Sequence, residues 1–199
     1  RRGDLNATVT VHGRQGHVAQ PELCRNAAHD AARLICALLD DPPDAGDEHF
    51  PPSSFQISNA HCGTGADNVV PGVCTLRCNW RFNPLQTQAS LAGWLQRHLD
   101  ELRLDCELNW QLDGLPFFTP EGALTAALAE SIREVTGITP QRGTRGGTSD
   151  GRFIAPLGAQ TVEFGPVSAT IHQVDEHVSL SSLDALTAIY EATLTRLLA

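Results

Sequence analysis

The segment ATIHQVDEHV, close to the end of the sequence, contains two histidines and two carboxylates. Imidazole and carboxylate groups bind metal ions and transfer protons. A metal site, however, needs three or four ligands on a rigid scaffold, and this segment offers one candidate, His172. Asp175, Glu176 and His177 follow too closely for an obvious helical site, and Val178 indicates extended chain. His172 is therefore either a hydrogen-bonded structural residue or one ligand of a site whose other members lie elsewhere.

A glycine-rich segment, GGTSD, spans residues 146–150. Its glycines allow the backbone to approach a ligand closely, and Thr148 or Ser149 can cap a following helix. The free N–H groups at such a helix start can bind an anion. An ordinary capped turn explains the pattern equally well, and the Gly–Lys–Ser/Thr arrangement of a phosphate-binding loop is absent.

His17 lies in a glycine-rich loop, and Arg81 lies in a predicted strand. His17 is most simply an exposed surface residue, but an imidazole there can also polarise a carbonyl group at another subunit's site. Arg81 shares the polar side of its strand with Arg77 and Asn79. Arginines at such positions normally solvate a sheet. The alternative is that Arg81 binds a substrate carboxylate through its two-pronged guanidinium group.

The elements that must position these residues alternate regularly in the first half of the sequence. Leu5, Ala7, Val9 and Val11 point to one side of a strand, and polar residues point to the other. The pattern predicts strand, helix, strand, strand, helix and strand over residues 5–11, 26–39, 54–61, 73–82, 87–102 and 105–112. This order is the split βαβ arrangement of a ferredoxin-like α+β domain, which we place at residues 3–115. Its edge strands suit pairing across a two-fold axis in a dimer.

The second half, residues 116–199, is predicted to form part of an α/β layer. Three helices, an apolar strand and a short extended piece are predicted at residues 121–136, 152–156, 180–198, 159–164 and 141–144. So few strands do not make an independent core. The sequence also contains no methionine. We therefore expect a piece of a longer protein, whose remaining strands precede Arg1.

The net charge, the apolar runs and the cysteines of the sequence indicate which binding partners and which cellular compartment to expect. A net charge of −9 does not attract nucleic acid or anionic lipid, and no apolar run is long enough to span a bilayer. An anionic small molecule is still compatible, because a few arginines in one pocket override the overall charge. The six cysteines include no C-x-x-C pair. They are expected to be reduced thiols of a cytoplasmic protein rather than a disulfide framework.

Several motifs together resemble one enzyme family. The stretches RRGDLNATVTVHGRQGHVAQP, GTGADNVVPG, CNWRFN and RGGTSDGRFIAPLGAQTVEFGPVSATIH, with their spacings, are similar to the desuccinylase branch of the di-zinc aminoacylase and carboxypeptidase-like amidohydrolases. The resemblance covers essentially the whole sequence. It implies that residues 3–115 form a dimerisation lid and that residues 116–199, with residues 1–2, form the C-terminal part of a split catalytic α/β domain. It also implies a cytoplasmic homodimer with two zinc ions per active site in the complete enzyme, cobalt being an alternative metal.

The resemblance assigns roles residue by residue. His172 matches a zinc-ligating histidine, and His17 matches a lid histidine that crosses the dimer to stabilise an oxyanion. Arg1 and Arg81 match arginines that bind substrate carboxylates. The other substrate-binding matches are Asn68, Gly147, Thr148 and Ser168. The sequence departs from the family pattern at three positions, namely Gln20 (commonly Tyr), Asp67 (commonly Asn) and Ser168 (commonly Asn).

The implied reaction is hydrolysis of N-succinyl-L,L-2,6-diaminopimelate to succinate and L,L-diaminopimelate, a step of diaminopimelate and lysine biosynthesis. In the family, zinc activates a bridging water and a glutamate outside this sequence transfers its proton. The chain alone is therefore expected to be inactive. Alternatives are a related deacetylase acting on acetylornithine, a carboxypeptidase-like enzyme, or a non-catalytic dimerisation module. The GGTSDGR segment and His172 argue against the last, because both lie outside the lid.

Overall fold

An antiparallel sheet organises the first half of the chain in the computed structural model, which describes all 199 residues. The chain contains six strands: β1 (Gly3–His12), β2 (Gly16–His17), β3 (Ser54–Cys62), β4 (Val69–Val70), β5 (Val73–Phe82) and β6 (Asp105–Gly114). Four of them form one sheet in the order β3-β5-β1-β6, in which every neighbouring pair is antiparallel. β2 and β4 pair separately as a two-residue ladder.

Five α-helices connect or follow these strands: α1 (Ala27–Asp40), α2 (Gln88–Leu102), α3 (Ala123–Thr136), α4 (Gly151–Ile154) and α5 (Leu180–Leu198). Apart from the short β2 and β4, α1 connects β1 to β3 and α2 connects β5 to β6. The ferredoxin-like α+β arrangement of the first half is therefore confirmed. None of the helices combines the length and apolar character that a bilayer span requires.

Polar side chains cap both helices of this half. The side chain of Asn26 accepts hydrogen bonds from the backbone N–H groups of Ala28 (2.9 Å) and His29 (3.3 Å), so α1 begins after it. Thr87 and Ser90 form a reciprocal capping box at the start of α2. These caps satisfy N–H groups that a helix cannot pair internally.

The core of this half lies between the two helices and one face of the sheet. Because side chains alternate along a strand, β1 and β5 deliver every second residue to the helices. Eighteen buried residues form the core: Leu5, Ala7, Val9, Val11, Ala27, Ala31, Leu34, Leu38, Phe55, Cys74, Leu76, Cys78, Trp80, Phe82, Leu91, Trp94, Leu95 and Leu99. The ring of Trp80 lies 4.9 Å from Phe55, 5.2 Å from Trp110 and 6.3 Å from Trp94, centroid to centroid. Full burial of each large apolar side chain stabilises the fold by about 1.5–3 kcal/mol.

The chain divides into two compact units. Unit 1 comprises Arg1–Phe117 and Thr144–Thr148, and unit 2 comprises Phe118–Gly143 and Ser149–Ala199. The hydroxyl of Thr144 donates to the carbonyl oxygen of His49 at 2.7 Å. It is one of several hydrogen bonds between residues 144–148 and the rest of unit 1.

Unit 2 has a small core. α3 and α5 pack together through Leu128, Ile132 and Ile189, with Phe164 beside them. The hydroxyl of Tyr190 donates to the carbonyl oxygen of Phe164. Many apolar side chains of this unit are exposed, among them Phe153, Leu157, Val167, Val174, Leu180 and Leu198. Unit 2 therefore has little of the burial that stabilises an independent domain.

The predicted strand at residues 159–164 is wrong, because this segment forms no regular structure. A strand needs a neighbour to pair its N–H and C=O groups, and unit 2 contains no other strand. Thr119 holds the segment instead, since its hydroxyl donates to the carbonyl oxygen of Thr161 at 2.6 Å. The extended piece predicted at residues 141–144 is likewise not part of a strand.

The expectation that every cysteine is a free thiol is wrong for one pair. Cys62 and Cys74 form a disulfide between β3 and β5. They are register partners in this antiparallel pair, with Cα atoms 4.2 Å apart, and such opposed positions bring side chains together. The sequence does not reveal that register. The free cysteines are Cys24, Cys36, Cys78 and Cys106.

Candidate functional site

Arg81 lies near the end of β5, directly opposite Asp4 of β1. Its Nη1 donates to the Asp4 carboxylate at 2.8 Å and to the hydroxyl oxygen of Thr148. The Thr148 hydroxyl in turn donates to the same carboxylate oxygen at 2.6 Å. Because Trp80 and Phe82 fill the core, Arg81 points to the other face of the sheet. The fold thus brings together two residues, Arg81 and Thr148, that the sequence singled out.

Arg1 reaches the same glycine-rich segment. Its Nη1 donates to the carbonyl oxygen of Arg145. Its main chain exchanges two hydrogen bonds with that of Phe117, at 2.6 and 2.9 Å. Gly146 has a φ of 108°, and a side chain there would collide with the Arg1 guanidinium group. Gly146 therefore lets Arg1 lie against the backbone of this segment, and Gly147 is exposed next to it.

Arg2 adds a further guanidinium group at this end of the sheet. Its Nη1 donates to Oγ of Ser54 at 3.0 Å, and Ser54 is the register partner of Arg81. The Nε of Arg2 is buried without a hydrogen-bond partner. Burial, and then the nearby charges of Arg81 and Arg145, lower the pKa of Arg2. We call Arg1, Arg2, Arg81 and Arg145 the arginine end.

His17 and Asn68 lie next to each other on the β2–β4 ladder. His17 is the register partner of Val69, and the N–H of Val18 donates to the carbonyl oxygen of Asn68 at 3.1 Å. Both side chains are exposed. Nδ1 of His17 accepts a hydrogen bond from the N–H of Ala19 at 3.1 Å. A neutral imidazole that accepts at Nδ1 carries its proton at Nε2, so His17 presents a donor there. We call His17 and Asn68 the histidine end.

The arginine end lies at one end of the four-stranded sheet, and the histidine end lies on the separate β2–β4 ladder. At one end of β1, Asp4 pairs with Arg81 of β5. At the other end of β1, His12 pairs with Val73, the first residue of β5. The eight steps from residue 4 to residue 12 span about 27 Å at about 3.4 Å each. The β2–β4 ladder lies beyond that far end, because β4 immediately precedes β5. A single chain therefore does not bring His17 to Arg81.

His172 and Ser168 lie in an exposed part of unit 2. The backbone of His172 is left-handed, with a φ of 60°, and its N–H donates to Oε2 of Glu176 at 3.2 Å. Nδ1 of His177 contacts the carbonyl oxygen of Asp175 at 2.8 Å. Such a φ is uncommon outside glycine and requires support from surrounding contacts.

The residues of this chain do not by themselves fit a zinc ion. A protein zinc site uses four ligands, or three and a water molecule. The chain contains no group of three or more histidine, cysteine, aspartate or glutamate side chains that could hold a metal ion. His172 is the single ligand that the resemblance assigns.

Two cysteines of the sheet are unsuited to nucleophilic chemistry. Burial raises the pKa of Cys78 to about 12. Burial, together with the charges of Asp105 and Asp30, raises the pKa of Cys106 to about 11. Because the thiolate is the attacking form, neither residue supplies a nucleophile near neutral pH.

The sequence did not single out Asp4 or Arg2, although both lie beside predicted residues. Asp4 precedes the predicted strand by one position and has no visible partner in the sequence. Its contact with Arg81 follows from the register of β1 against β5. The only sign in the sequence that Arg2 lies near the site was its position next to Arg1 in RRGD. Two positions that depart from the family pattern, Gln20 and Asp67, are exposed.

Comparison with known protein families identifies the first half of the chain. The model of the peptidase dimerisation domain, M20_dimer, matches residues 1–105. The chain belongs to the M20 peptidase dimerisation-domain family. The matched range contains β1 to β5 and both helices that cover the sheet.

Members of this family that are similar over the whole chain include two succinyl-diaminopimelate desuccinylases. The enzyme of Azoarcus sp. (strain BH72) is 50% identical over 198 residues, which cover 100% of this chain and 52% of that enzyme. The enzyme of Thioalkalivibrio sulfidiphilus (strain HL-EbGR7) is 51% identical over 198 residues, which cover 100% of this chain and 53% of that enzyme. The chain thus spans about half the length of the curated relatives it matches.

Solved structures share the fold at lower identity. A tripeptidase from Staphylococcus aureus has a TM-score of 0.77 at 22% identity, covering 96% of this chain and 50% of that one. An M20 family metallo-carboxypeptidase from Sulfolobus solfataricus has a TM-score of 0.74 at 18% identity, covering 98% of this chain and 58% of that one. Both likenesses concern the fold alone.

Proposed function

We propose that this chain is part of a metal-dependent amide hydrolase that cleaves N-succinyl-L,L-2,6-diaminopimelate into succinate and L,L-diaminopimelate. The desuccinylases that are 50% and 51% identical over the entire chain support this substrate. The complete enzyme acts, in this proposal, in the cytoplasm and in diaminopimelate and lysine biosynthesis.

The arginine end is the observation that carries the proposal. The substrate has several carboxylates, and four guanidinium groups gather here in a chain of net charge −9. Protein groups engage Nη1 of Arg81, which leaves its Nε and Nη2 as a pair of parallel donors. Such a pair binds a carboxylate in fork geometry. In this proposal Thr148, whose hydroxyl contacts Arg81, and the neighbouring Gly147 offer further polar contacts to the substrate through their backbone.

His17 acts, in this proposal, on the active site of a second copy of the protein. Within one chain about 27 Å of strand separates it from the arginine end. A two-fold dimer formed through the dimerisation domain can place the histidine end of each copy at the arginine end of the other. The Nε2–H donor of His17 then stabilises the oxyanion of the tetrahedral intermediate, a contact typically worth about 3 kcal/mol.

Metal binding is proposed for the complete protein and not for this chain alone. His172 contributes one imidazole, and the other ligands of the zinc ions, or of cobalt, come from residues outside this sequence. The purified 199-residue chain should accordingly hold zinc weakly and show no hydrolysis. Stoichiometric zinc after dialysis, measured by atomic absorption, together with amide hydrolysis would contradict this assignment.

Turnover of succinyl and acetyl substrates by the complete protein tests the substrate class. We expect kcat/KM for N-succinyl-L,L-2,6-diaminopimelate to exceed that for N-acetylornithine by about a hundredfold or more, because the acetyl group lacks the acyl carboxylate that an arginine would pair. A preference for the acetyl substrate would indicate a deacetylase instead.

Two matched arginine variants test the role of Arg81. Arg81→Lys keeps the charge but loses the fork, and should raise KM for the succinyl substrate about tenfold. Arg77→Lys is the control, because Arg77 lies on the same face of the same strand and is exposed. Equal KM values for the two variants would remove Arg81 from substrate binding.

Mixing two variants of the complete enzyme tests the shared site. His17→Ala alone should lower kcat about a hundredfold while changing KM less. When this variant is mixed and reassembled with Arg81→Ala, half of the dimers are mixed and each carries one intact site of two. We expect recovery of about one quarter of the wild-type activity. No recovery, with dimers verified by light scattering, would place both residues in a site within one copy.

A further inference from the structure

Asp4 is a buried carboxylate surrounded by three hydrogen-bond donors. Its side chain is 9% exposed. Oδ1 accepts from Nδ2 of Asn79 at 2.7 Å, and Oδ2 accepts from the Thr148 hydroxyl at 2.6 Å and from Nη1 of Arg81 at 2.8 Å. A buried carboxylate is costly unless it is paired, so these three donors explain why a charged residue is tolerated at this position.

The contacts of Asp4 restrict Arg81 to one orientation. Nη1 is shared between the Asp4 carboxylate and the Thr148 oxygen, which fixes the end of the guanidinium group. Asn79 holds the carboxylate from its other side and also donates to Oδ1 of Asn6 at 2.9 Å. The carboxylate cannot rotate without losing several of these bonds. The Nε–Nη2 edge of Arg81 therefore keeps a constant direction.

We propose that Asp4 is a positioning residue that orients the Arg81 guanidinium group toward a carboxylate of the substrate. This inference rests on the proposed hydrolase function, in which Arg81 binds substrate. Asp4 touches no reacting atom, and its effect is exerted on binding.

The opposite role, in which Asp4 competes with substrate for Arg81, agrees less well with the contacts. Asp4 pairs with one guanidinium nitrogen through one oxygen and leaves the two-pronged edge open. Arg2 also repels Arg81, and the Asp4 charge offsets that repulsion. Loss of Asp4 should therefore let the Arg81 guanidinium group change its orientation, which weakens substrate binding. It should not free a donor edge that Asp4 had occupied. The two roles predict opposite changes in KM.

Asp4→Asn in the complete enzyme distinguishes them. The amide has the same shape but a single acceptor oxygen, so it cannot accept from Asn79 on one side and from Arg81 and Thr148 on the other. We expect KM for the succinyl substrate to rise about tenfold, with kcat changing much less. An unchanged or lowered KM in an active enzyme overturns the proposal.

Coupling between Asp4 and Arg81 provides a second kinetic criterion. Arg81→Lys should raise KM less in the Asp4→Asn background than in the wild type, because Arg81 is already released there. Fully additive effects overturn the proposal. Asp30→Asn is the matched control: this aspartate is equally buried and pairs with Arg25 and Arg33, and its replacement should leave KM unchanged.

A measurement on the wild-type 199-residue chain needs neither substrate nor a folded variant. Nitrogen-15 NMR should show hindered rotation of the Arg81 guanidinium group and separate Nη signals, whereas exposed Arg77 should show averaged signals. Averaged signals for Arg81 overturn the proposal even when the kinetics cannot be read. Hindered Arg81 in a complete protein that does not cleave the succinyl substrate would refute the hydrolase function while leaving the Asp4 contact intact.

Discussion

Unit 1 and unit 2 bury apolar side chains to very different extents. Unit 1 encloses eighteen core residues between a sheet and two helices, whereas the core of unit 2 consists of Leu128, Ile132 and Ile189. Apart from Ser168 in unit 2, the residues expected to bind substrate, such as Arg81, therefore rest on a well-packed scaffold. The expected metal ligand, His172, lies in an exposed part of the weakly packed unit. Within this chain, precise positioning is thus available to the arginine end and not to the metal ligand.

The largest expected effect comes from the centre of unit 1. Trp80 is fully buried and contacts three other aromatic rings. Trp80→Ala should lower the free energy of unfolding of unit 1 by about 3–5 kcal/mol, because it removes a large side chain and leaves a cavity. Urea unfolding followed by circular dichroism, with hydrogen exchange resolved by peptide, measures the loss.

Ile189→Ala is the corresponding change in unit 2. It should increase hydrogen exchange in α3 and α5 while exchange in β1 and β5 stays as in the wild type. Increased exchange of unit 1 amides in this variant would mean that the two units unfold together. The proposed difference in stability between unit 1 and unit 2 would then be wrong.

The next largest effect is expected in limited proteolysis, which should cleave unit 2 faster than unit 1. If local stability differs by about 3 kcal/mol, exposed segments of unit 2 will be cut about a hundredfold faster than the sheet of unit 1. Mass spectrometry of early fragments should locate the first cuts within residues 149–179. Equal cleavage rates in the two units would show that unit 2 is as stable as unit 1.

A smaller, pH-dependent effect is expected at Asp44 in unit 1. Its Oδ1 accepts from the N–H groups of Gly46 (2.9 Å) and Ser53 (3.0 Å) and from Nδ2 of Asn83 (2.6 Å). Burial raises the pKa of Asp44, but these hydrogen bonds outweigh burial and hold the pKa below its usual value. The resulting stability is present above the unfolded pKa of about 4 and is lost as the pH falls through the folded value.

Asp44→Ala should accordingly cost about 1–3 kcal/mol at neutral pH and progressively less in acid. Asp44→Asn keeps one acceptor oxygen but does not titrate, so it should cost less and flatten the acid dependence. Urea unfolding of both variants between about pH 3 and pH 7 checks this. Parallel pH profiles for the wild type and Asp44→Asn would contradict the assignment.

The smallest expected effects concern two helix caps, one in each unit. Asn26 caps α1, and Ser179 caps α5 by accepting from the N–H of Ser182 at 3.2 Å. Asn26→Ala should destabilise unit 1 by about 1 kcal/mol. Ser179→Ala should increase hydrogen exchange in the first turn of α5 and leave the unfolding midpoint of unit 1 unchanged. A shift of that midpoint in Ser179→Ala would again argue for coupled units.

The hydrophobic periodicity of the sequence predicted most of the helices and strands, because each of these elements carries the pattern within its own residues. The bounds of β5 at 73–82 and of α5 at 180–198 agree with the prediction. The failures share a physical cause, since they concern pairing between distant segments. The segment at residues 159–164 has strand-like composition but no neighbour, and Cys62 meets Cys74 through a register that no local pattern encodes.

The candidate site was predictable in its residue types but not in its geometry. Motif resemblance singled out Arg1, Arg81 and Thr148, and the structure groups them in unit 1. The contact between Asp4 and Arg81 required the β1–β5 register. The role of His172 stays a prediction, because a metal site depends on ligands beyond those in this sequence.

The tryptophan distribution has an optical consequence. Trp80, Trp94 and Trp110 are all the tryptophans of the chain and all belong to unit 1, whereas the single tyrosine, Tyr190, belongs to unit 2. Indole emission excited at wavelengths that phenol does not absorb is therefore a label-free record of one unit. A fluorescence melting curve of this chain would look complete and cooperative while the part that carries His172 contributed no signal.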